Sequence, residues 1–171
     1  PDSRHDSLDG APAHLQQFAA IHPKDQGNWV APCGYGSDEL LAEAIAATYG
    51  MISMIDEGVG QIMRTLNRLG IEDNTLVVFT SDHGDMMGEH GLFLKGFMHY
   101  RGTLQVPLLI RRPGQQPGRT LTLATTLDLA PTLLELAGLA KFDGMQGHSL
   151  EPCLDGERTV RSSVLIEDDL P

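Results

Sequence analysis

The feature that most constrains this chain is a run of apolar residues at alternating steps of four and three: Leu41, Ile45, Ile52, Ile55, Val59, Ile62, Leu66 and Leu69, with Thr48 filling one step. A period near 3.6 residues puts them all on one stripe of a helix. Ser37 or Asp38 can cap its start by accepting a bond from an unpaired backbone N–H, and Gly70 can supply the left-handed residue that ends it. Gly50, Gly58 and Gly60 bend the helix or admit a close neighbour. A partner-binding coiled coil shows the same steps, but here the e and g positions lack alternating charges, so the stripe reads as core-facing.

The run TLVVFT, residues 75–80, follows Asp73 and Asn74 and is continuously apolar and β-branched, as in a strand buried on both faces of a parallel sheet. Residues 106–110 form a second candidate strand, closed by Arg111, Arg112, Pro113 and Gly114, with 121–125 a third and 164–166 a short fourth. Asp128 can cap a helix through Ala130, Leu133, Leu134 and Leu136 to Ala137, with Pro131 tolerated in the first turn and Gly138 at the end. Alternating helices and buried strands predict an α/β layered fold with a mainly parallel sheet. Residues 1–36 read as an irregular segment, with a short helix around 15–21, leading into the patterned remainder, 37–171. His5, His14 and His22 fall on no common helix face and read as solvated loop histidines.

A net charge of -11 argues against a nucleic-acid partner, which requires clustered Lys and Arg to displace counterions. Cys33 and Cys153 lie 120 positions apart and have neither zinc-site spacing nor the density of a disulfide framework. No stretch of 18 apolar residues occurs, so no membrane partner is expected. Cytoplasmic and periplasmic placement both remain open, as does a homo-oligomer.

Chemistry concentrates after the first strand. Thr80, Ser81, Asp82, His83, Gly84 and Asp85 begin where TLVVFT ends, and ligands of open α/β sheets gather beyond the carboxyl ends of strands. Asp82 offers a hard anionic oxygen and His83 an imidazole nitrogen, a pair suited to a divalent ion, while Gly84 lets the backbone turn beside them. A glycine-rich loop through Glu89 and His90 then leads to Lys95, twelve residues beyond His83. A lysine there can meet an anionic group or stabilise charge that develops on it. Glu89 and His90 are expected to hold the loop's shape, and His99 to line the substrate pocket or support the metal loop. Asp56 and Asp85 are given no chemistry, and Arg101 is expected to pair with a local acid.

The blocks YGMISMIDEGVGQIMRTLNRLG, DNTLVVFTSDHGDMMGEHGLFLKG, HYRGTLQVPLLIRRPG, LDLAPTLLELAGL and GMQGHSLEPCLDGE stand in the order and spacing of the sulfatase family. The chain thus resembles the C-terminal part of a sulfatase catalytic domain of the alkaline phosphatase superfamily, in its arylsulfatase and phosphonate monoester hydrolase branches. The resemblance implies a metal-assisted hydrolase of sulfate esters in which Asp82 and His83 ligate calcium, magnesium or manganese. Lys95 then contacts the transferred group as catalytic and substrate-binding residue, and His99 is a further substrate residue.

Many members carry Asn at the place of His83, which points also to small phosphonate or phosphate esters as substrates. The family's formylglycine nucleophile arises from a Cys- or Ser-x-Pro-x-Arg motif that neither Cys33 nor Cys153 heads. That motif, paired aspartates and a substrate histidine are expected upstream of Pro1, and His22 is not given the last role. The fragment alone is expected to be inactive. A non-catalytic interaction domain of the same fold is the alternative from another class.

Overall fold

A computed structural model describes residues 1–25, 33–96, 98–155 and 159–167. Gly156 and Glu157, at the end of the last family block, lie outside them. The chain divides into two units, Pro1–Pro113 and Gly114–Asp169.

In the first unit the short helix α1 (Ala13–Ala20) precedes strand β1 (Cys33–Gly34) and the long helix α2 (Asp38–Arg68). Ser37 caps α2 as its sequence predicts, its side chain accepting the N–H of Leu40, and Gly70 takes φ 67 just past the end. Strand β2 (Val77–Thr80) follows, then β3 (Met86–Met87), β4 (Leu92–Leu94), the single turn α3 (Arg101–Leu104) and β5 (Leu108–Arg111).

The helical stripe is present but uncovered: of α2 only Leu41 is buried, while Ile52, Ile55, Ile62 and Leu69 are more than half exposed. Leu41 packs on the loop beyond β3, where a side chain on Gly88 would stand 2.5 Å from its Cδ2. Gly88 also has φ 95, so glycine meets both demands.

Strand pairing departs from the expected mainly parallel sheet. Among the described residues both ladders are antiparallel: β2 pairs with β5, Val77 opposite Arg111 and Thr80 opposite Leu108, and β4 sits between β1 and β3. A parallel neighbour needs a long crossover that returns the chain in the same direction. The connection from Thr80 to Leu108 holds two short strands, a 3-10 turn (Glu89–Gly91) and the single turn α3, and it delivers β5 reversed. Phe79 and its cross-strand partner Leu109 are exposed, so β2 is not covered on both faces by these residues.

Arg111 fastens the end of β5 to the 3-10 turn Glu72–Asn74 that precedes β2, donating from Nη2 to Glu72 Oε1 at 2.7 Å. Beneath the loop that follows β2 lies the buried cluster of Leu15, Met86, Leu92 and Met98, with Phe18 and Tyr100 against it. Burying side chains of this size contributes about 1.5–3 kcal/mol each, so the loop rests on the best-packed part of the unit.

In the second unit a 3-10 turn (Thr126–Asp128) runs into α4 (Leu129–Leu136), with Pro131 in its first turn and Gly138 at φ 70 beyond it. Helix α5 (Glu151–Leu154) follows. Residues 121–125 and 164–166, read as strands, join no strand ladder among the described residues and are irregular. Asp128 stands at the expected place but does not cap α4. It is fully buried, accepting the N–H groups of Thr125 and His148 at 2.8 Å each and pairing with Arg161. Its oxygens are turned to those three donors and make no bond to the first N–H groups of α4.

Candidate active site

The chain leaves β2 at Thr80 and turns at once through Ser81, Asp82, His83 and Gly84. Ser81 Oγ donates to the His83 carbonyl at 2.9 Å, and the His83 N–H donates to Asp82 Oδ1 at 2.9 Å. These local bonds engage Oδ1 and leave Oδ2 of Asp82 facing His83 Nε2, 3.6 Å away. The bond from the His83 N–H, and next the nearby imidazole, hold the Asp82 carboxyl below the usual carboxylate range. Asp82 is therefore an exposed anion at neutral pH, ready to bind a cation.

The third group arrives from β4. Leu94 takes φ 68, a left-handed conformation that an aliphatic residue adopts only at a cost of about 1–2 kcal/mol. Lys95 follows it, with Nζ 2.8 Å from His83 Nε2. The twelve-residue spacing in the sequence thus becomes direct contact. Imidazole Nδ1 lies 3.0 Å from the Gly84 carbonyl oxygen. A carbonyl only accepts and an ammonium only donates, so Nδ1 carries the hydrogen and Nε2 presents its lone pair. Asp82 Oδ2, His83 Nε2 and Lys95 Nζ converge.

Two ligands each about 2.1–2.4 Å from one ion, at ordinary coordination angles, stand about 3–4 Å apart. The 3.6 Å between Asp82 Oδ2 and His83 Nε2 falls in that range, and an Nδ1–H held by a carbonyl is the arrangement usual for a ligating histidine. Among the described residues no group of three His, Cys, Asp or Glu side chains could enclose an ion.

Of the neighbouring residues singled out from the sequence, some keep the expected role and others take different partners. Glu89 holds the loop as expected, with Oε2 accepting the Met87 N–H at 2.7 Å. His90 takes φ 55, stacks on Tyr100 at 4.4 Å and pairs with Asp6 at 3.1 Å. Arg101 bonds Gln105 in place of an acid. His99 is exposed, four residues after Lys95.

Asp6, Gln16, His22, Tyr35 and His90 border an open cleft of about 590 Å³, which Asp82, His83, Lys95 and His99 do not line. His22 accepts the Lys24 N–H through Nδ1 at 3.2 Å, and His14 meets Phe18 edge to face at 5.9 Å. Neither cysteine suits a nucleophile's position: Cys33 and Cys153 are both buried, and burial pushes the Cys33 thiol pKa up. Among the described residues no helix is long and apolar enough to cross a membrane.

The family profile described as Sulfatase matches residues 3–139. The choline-sulfatase of Rhizobium meliloti (strain 1021) is 41% identical over 143 residues, which cover 79% of this chain and 27% of that protein. The solved structure of a 2-O GAG sulfatase superposes with a TM-score of 0.76 at 29% identity, over 95% of this chain and 35% of the other. The phosphonate monoester hydrolase of Silicibacter pomeroyi superposes with a TM-score of 0.68 at 31% identity, over 74% of this chain and 25% of the other. The chain spans about a quarter of the length of the curated relatives it matches. Its elements are a fragment of the alkaline phosphatase-like fold. On the profile match and on the identity to its relatives, the chain belongs to the sulfatase family.

Proposed function

We propose that the full-length protein hydrolyses sulfate esters of small molecules, and that this chain supplies half of a divalent-metal site together with the lysine that meets the transferred group. The observation that carries this reading is the convergence of Asp82 Oδ2, His83 Nε2 and Lys95 Nζ at the end of β2. Residues 37–171 then form the C-terminal part of the catalytic domain.

Asp82 supplies charge to a calcium, magnesium or manganese ion, and His83 supplies a neutral nitrogen. A bound ion polarises the ester oxygens. Lys95 sits within reach of the same position, where its ammonium holds an anionic oxygen and stabilises the charge that grows on it as the ester bond breaks. His99, exposed and close to Lys95 in the chain, is assigned to the substrate side. The remaining metal ligands and the formylglycine nucleophile belong to segments outside these residues, so the isolated chain is expected to be inactive.

A second reading, hydrolysis of phosphonate or phosphate esters, is favoured by the phosphonate monoester hydrolase, 31% identical, and agrees with what the family resemblance implies for a His at position 83. Aryl sulfate, phosphate monoester, phosphate diester and phosphonate substrates, assayed on the full-length protein with each metal, decide between them. Highest kcat/KM on the sulfate supports the first reading, and highest on the phosphonate replaces it with the second. No turnover of any ester with any metal leaves a non-catalytic interaction domain.

A further inference from the structure

The hydrogen on His83 Nδ1 depends on the Gly84 carbonyl, and the position of Gly84 depends on a contact between two backbones. Gly84 N–H donates to the Thr103 carbonyl at 2.8 Å. A side chain on Gly84 would stand 2.0 Å from the Gly102 carbonyl oxygen, so the backbone of α3 lies where any other residue would place its Cβ. Gly102 is constrained in turn: a Cβ there would meet Met86 Sδ at 3.2 Å and the Asp85 carbonyl oxygen at 3.3 Å. Met86 is fully buried in the core beneath, and the neighbouring Tyr100 is held by its stack on His90. The turn carrying Gly102 is therefore pinned from below and from the side.

We propose that Gly102 is a positioning residue for His83, acting through Gly84. The close approach of the two glycines aims the Gly84 carbonyl at Nδ1, fixes the neutral imidazole as the Nδ1–H tautomer, and so leaves the Nε2 lone pair facing Lys95 Nζ, on the side where Asp82 Oδ2 also stands. The HYRG block, 99–102, thereby supports the ligand from behind while Lys95 faces it from the front. The consequence for metal binding rests on the reading of His83 as a ligand. The tautomer itself does not. A ring free to take the other tautomer would present Nε2–H, which cannot ligate.

The test is two-bond 1H–15N correlation NMR of the full-length protein labelled with 15N-histidine and stripped of metal by chelation, with His83 assigned by its loss in His83→Gln. In the native protein the ring is expected to show the Nδ1–H pattern. Gly84→Ala, which must displace the Gly102 carbonyl, should convert it to Nε2–H or to a mixture. Gly102→Ala meets a flexible methionine as well as a carbonyl, so it should fold and shift the ring less. Gly118→Ala, with nothing within 4 Å, should leave the pattern unchanged.

Nε2–H in the native protein overturns the proposal, as does an unaltered Nδ1–H ring in both folded variants at the site. Added calcium or manganese should perturb Nε2 in the native protein and bind at least tenfold more weakly to Gly102→Ala. An Nδ1–H ring whose Nε2 ignores every metal refutes the ligand reading while sustaining the positioning role.

Discussion

Asp128→Asn is a sharp test of how the second unit holds together, because the substitution keeps the size of the side chain and changes only its bonding. Oδ2 accepts the Thr125 N–H at 2.8 Å, and Oδ1 accepts both the His148 N–H at 2.8 Å and the Arg161 guanidinium. An asparagine offers one accepting oxygen. Whichever way it turns, its NH2 faces a donor, and Arg161 loses its counter-charge in a place where its side chain is only 16% exposed. Breaking a buried pair by altering one partner costs about 3–5 kcal/mol, and a hydrogen bond to a charged group is worth about 1.5–3 kcal/mol. Water can reach the exposed His148 side of the node, which keeps the total near the lower end, about 3 kcal/mol.

Urea denaturation of the wild type and Asp128→Asn, compared at equal m-value, measures the difference. Adding Arg161→Met to Asp128→Asn removes the stranded charge and should recover about 1–2 kcal/mol of the loss. A single-variant loss below about 1 kcal/mol, with no recovery in the double variant, would refute the view that Asp128 is the node joining the 3-10 turn to residues 147–150.

Two other expectations follow from the site's geometry. Lys95→Ala should abolish most turnover of the full-length protein, by about 100-fold or more if its ammonium stabilises developing charge, while metal content measured by elemental analysis stays at the wild-type level. Loss of metal would mean that the lysine is placed wrongly. Cys33, buried with its pKa raised, should resist iodoacetamide at pH 8 until the protein is unfolded. The sign follows from linkage: folding favours the protonated thiol, so the Cys33 contribution holds below the ordinary value of about 8.5 and declines as pH rises toward the folded value. Rapid native labelling at pH 8 would contradict that burial.

Helix α2 was legible because its information is local: the four-three spacing, the Ser37 cap and the Gly70 stop lie within the element itself. The layer that should cover Ile52, Ile55 and Ile62 was not, because nothing in a periodic pattern names its partner. Apolar content marked residues 75–80 as a strand, but direction of pairing depends on the connection to Leu108, and short elements there returned the chain antiparallel. Residues 121–125 carry similar apolar and β-branched residues but join no strand ladder among the described residues, and remain irregular.

At the site, Asp82, His83 and Lys95 could be nominated from type and spacing. Their contact depends on the left-handed turn at Leu94, which no propensity favours in an aliphatic residue. His90 was recognised as a loop residue, yet its partner Asp6 lies 84 positions earlier, beyond any local signal. Gly102 gave only a faint sign, a glycine within a family block, because its role is a backbone contact and leaves no mark in side-chain chemistry.

The central claim is that Asp82 and His83 ligate a divalent ion in the full-length protein. Metal content per chain, determined by elemental analysis on wild type, Asp82→Ala and His83→Ala purified side by side, tests it most directly. The account predicts stoichiometric calcium, magnesium or manganese in the wild type and a severe loss in both variants, greater for Asp82→Ala because the carboxylate carries the charge. Unchanged stoichiometry in either folded variant would contradict it.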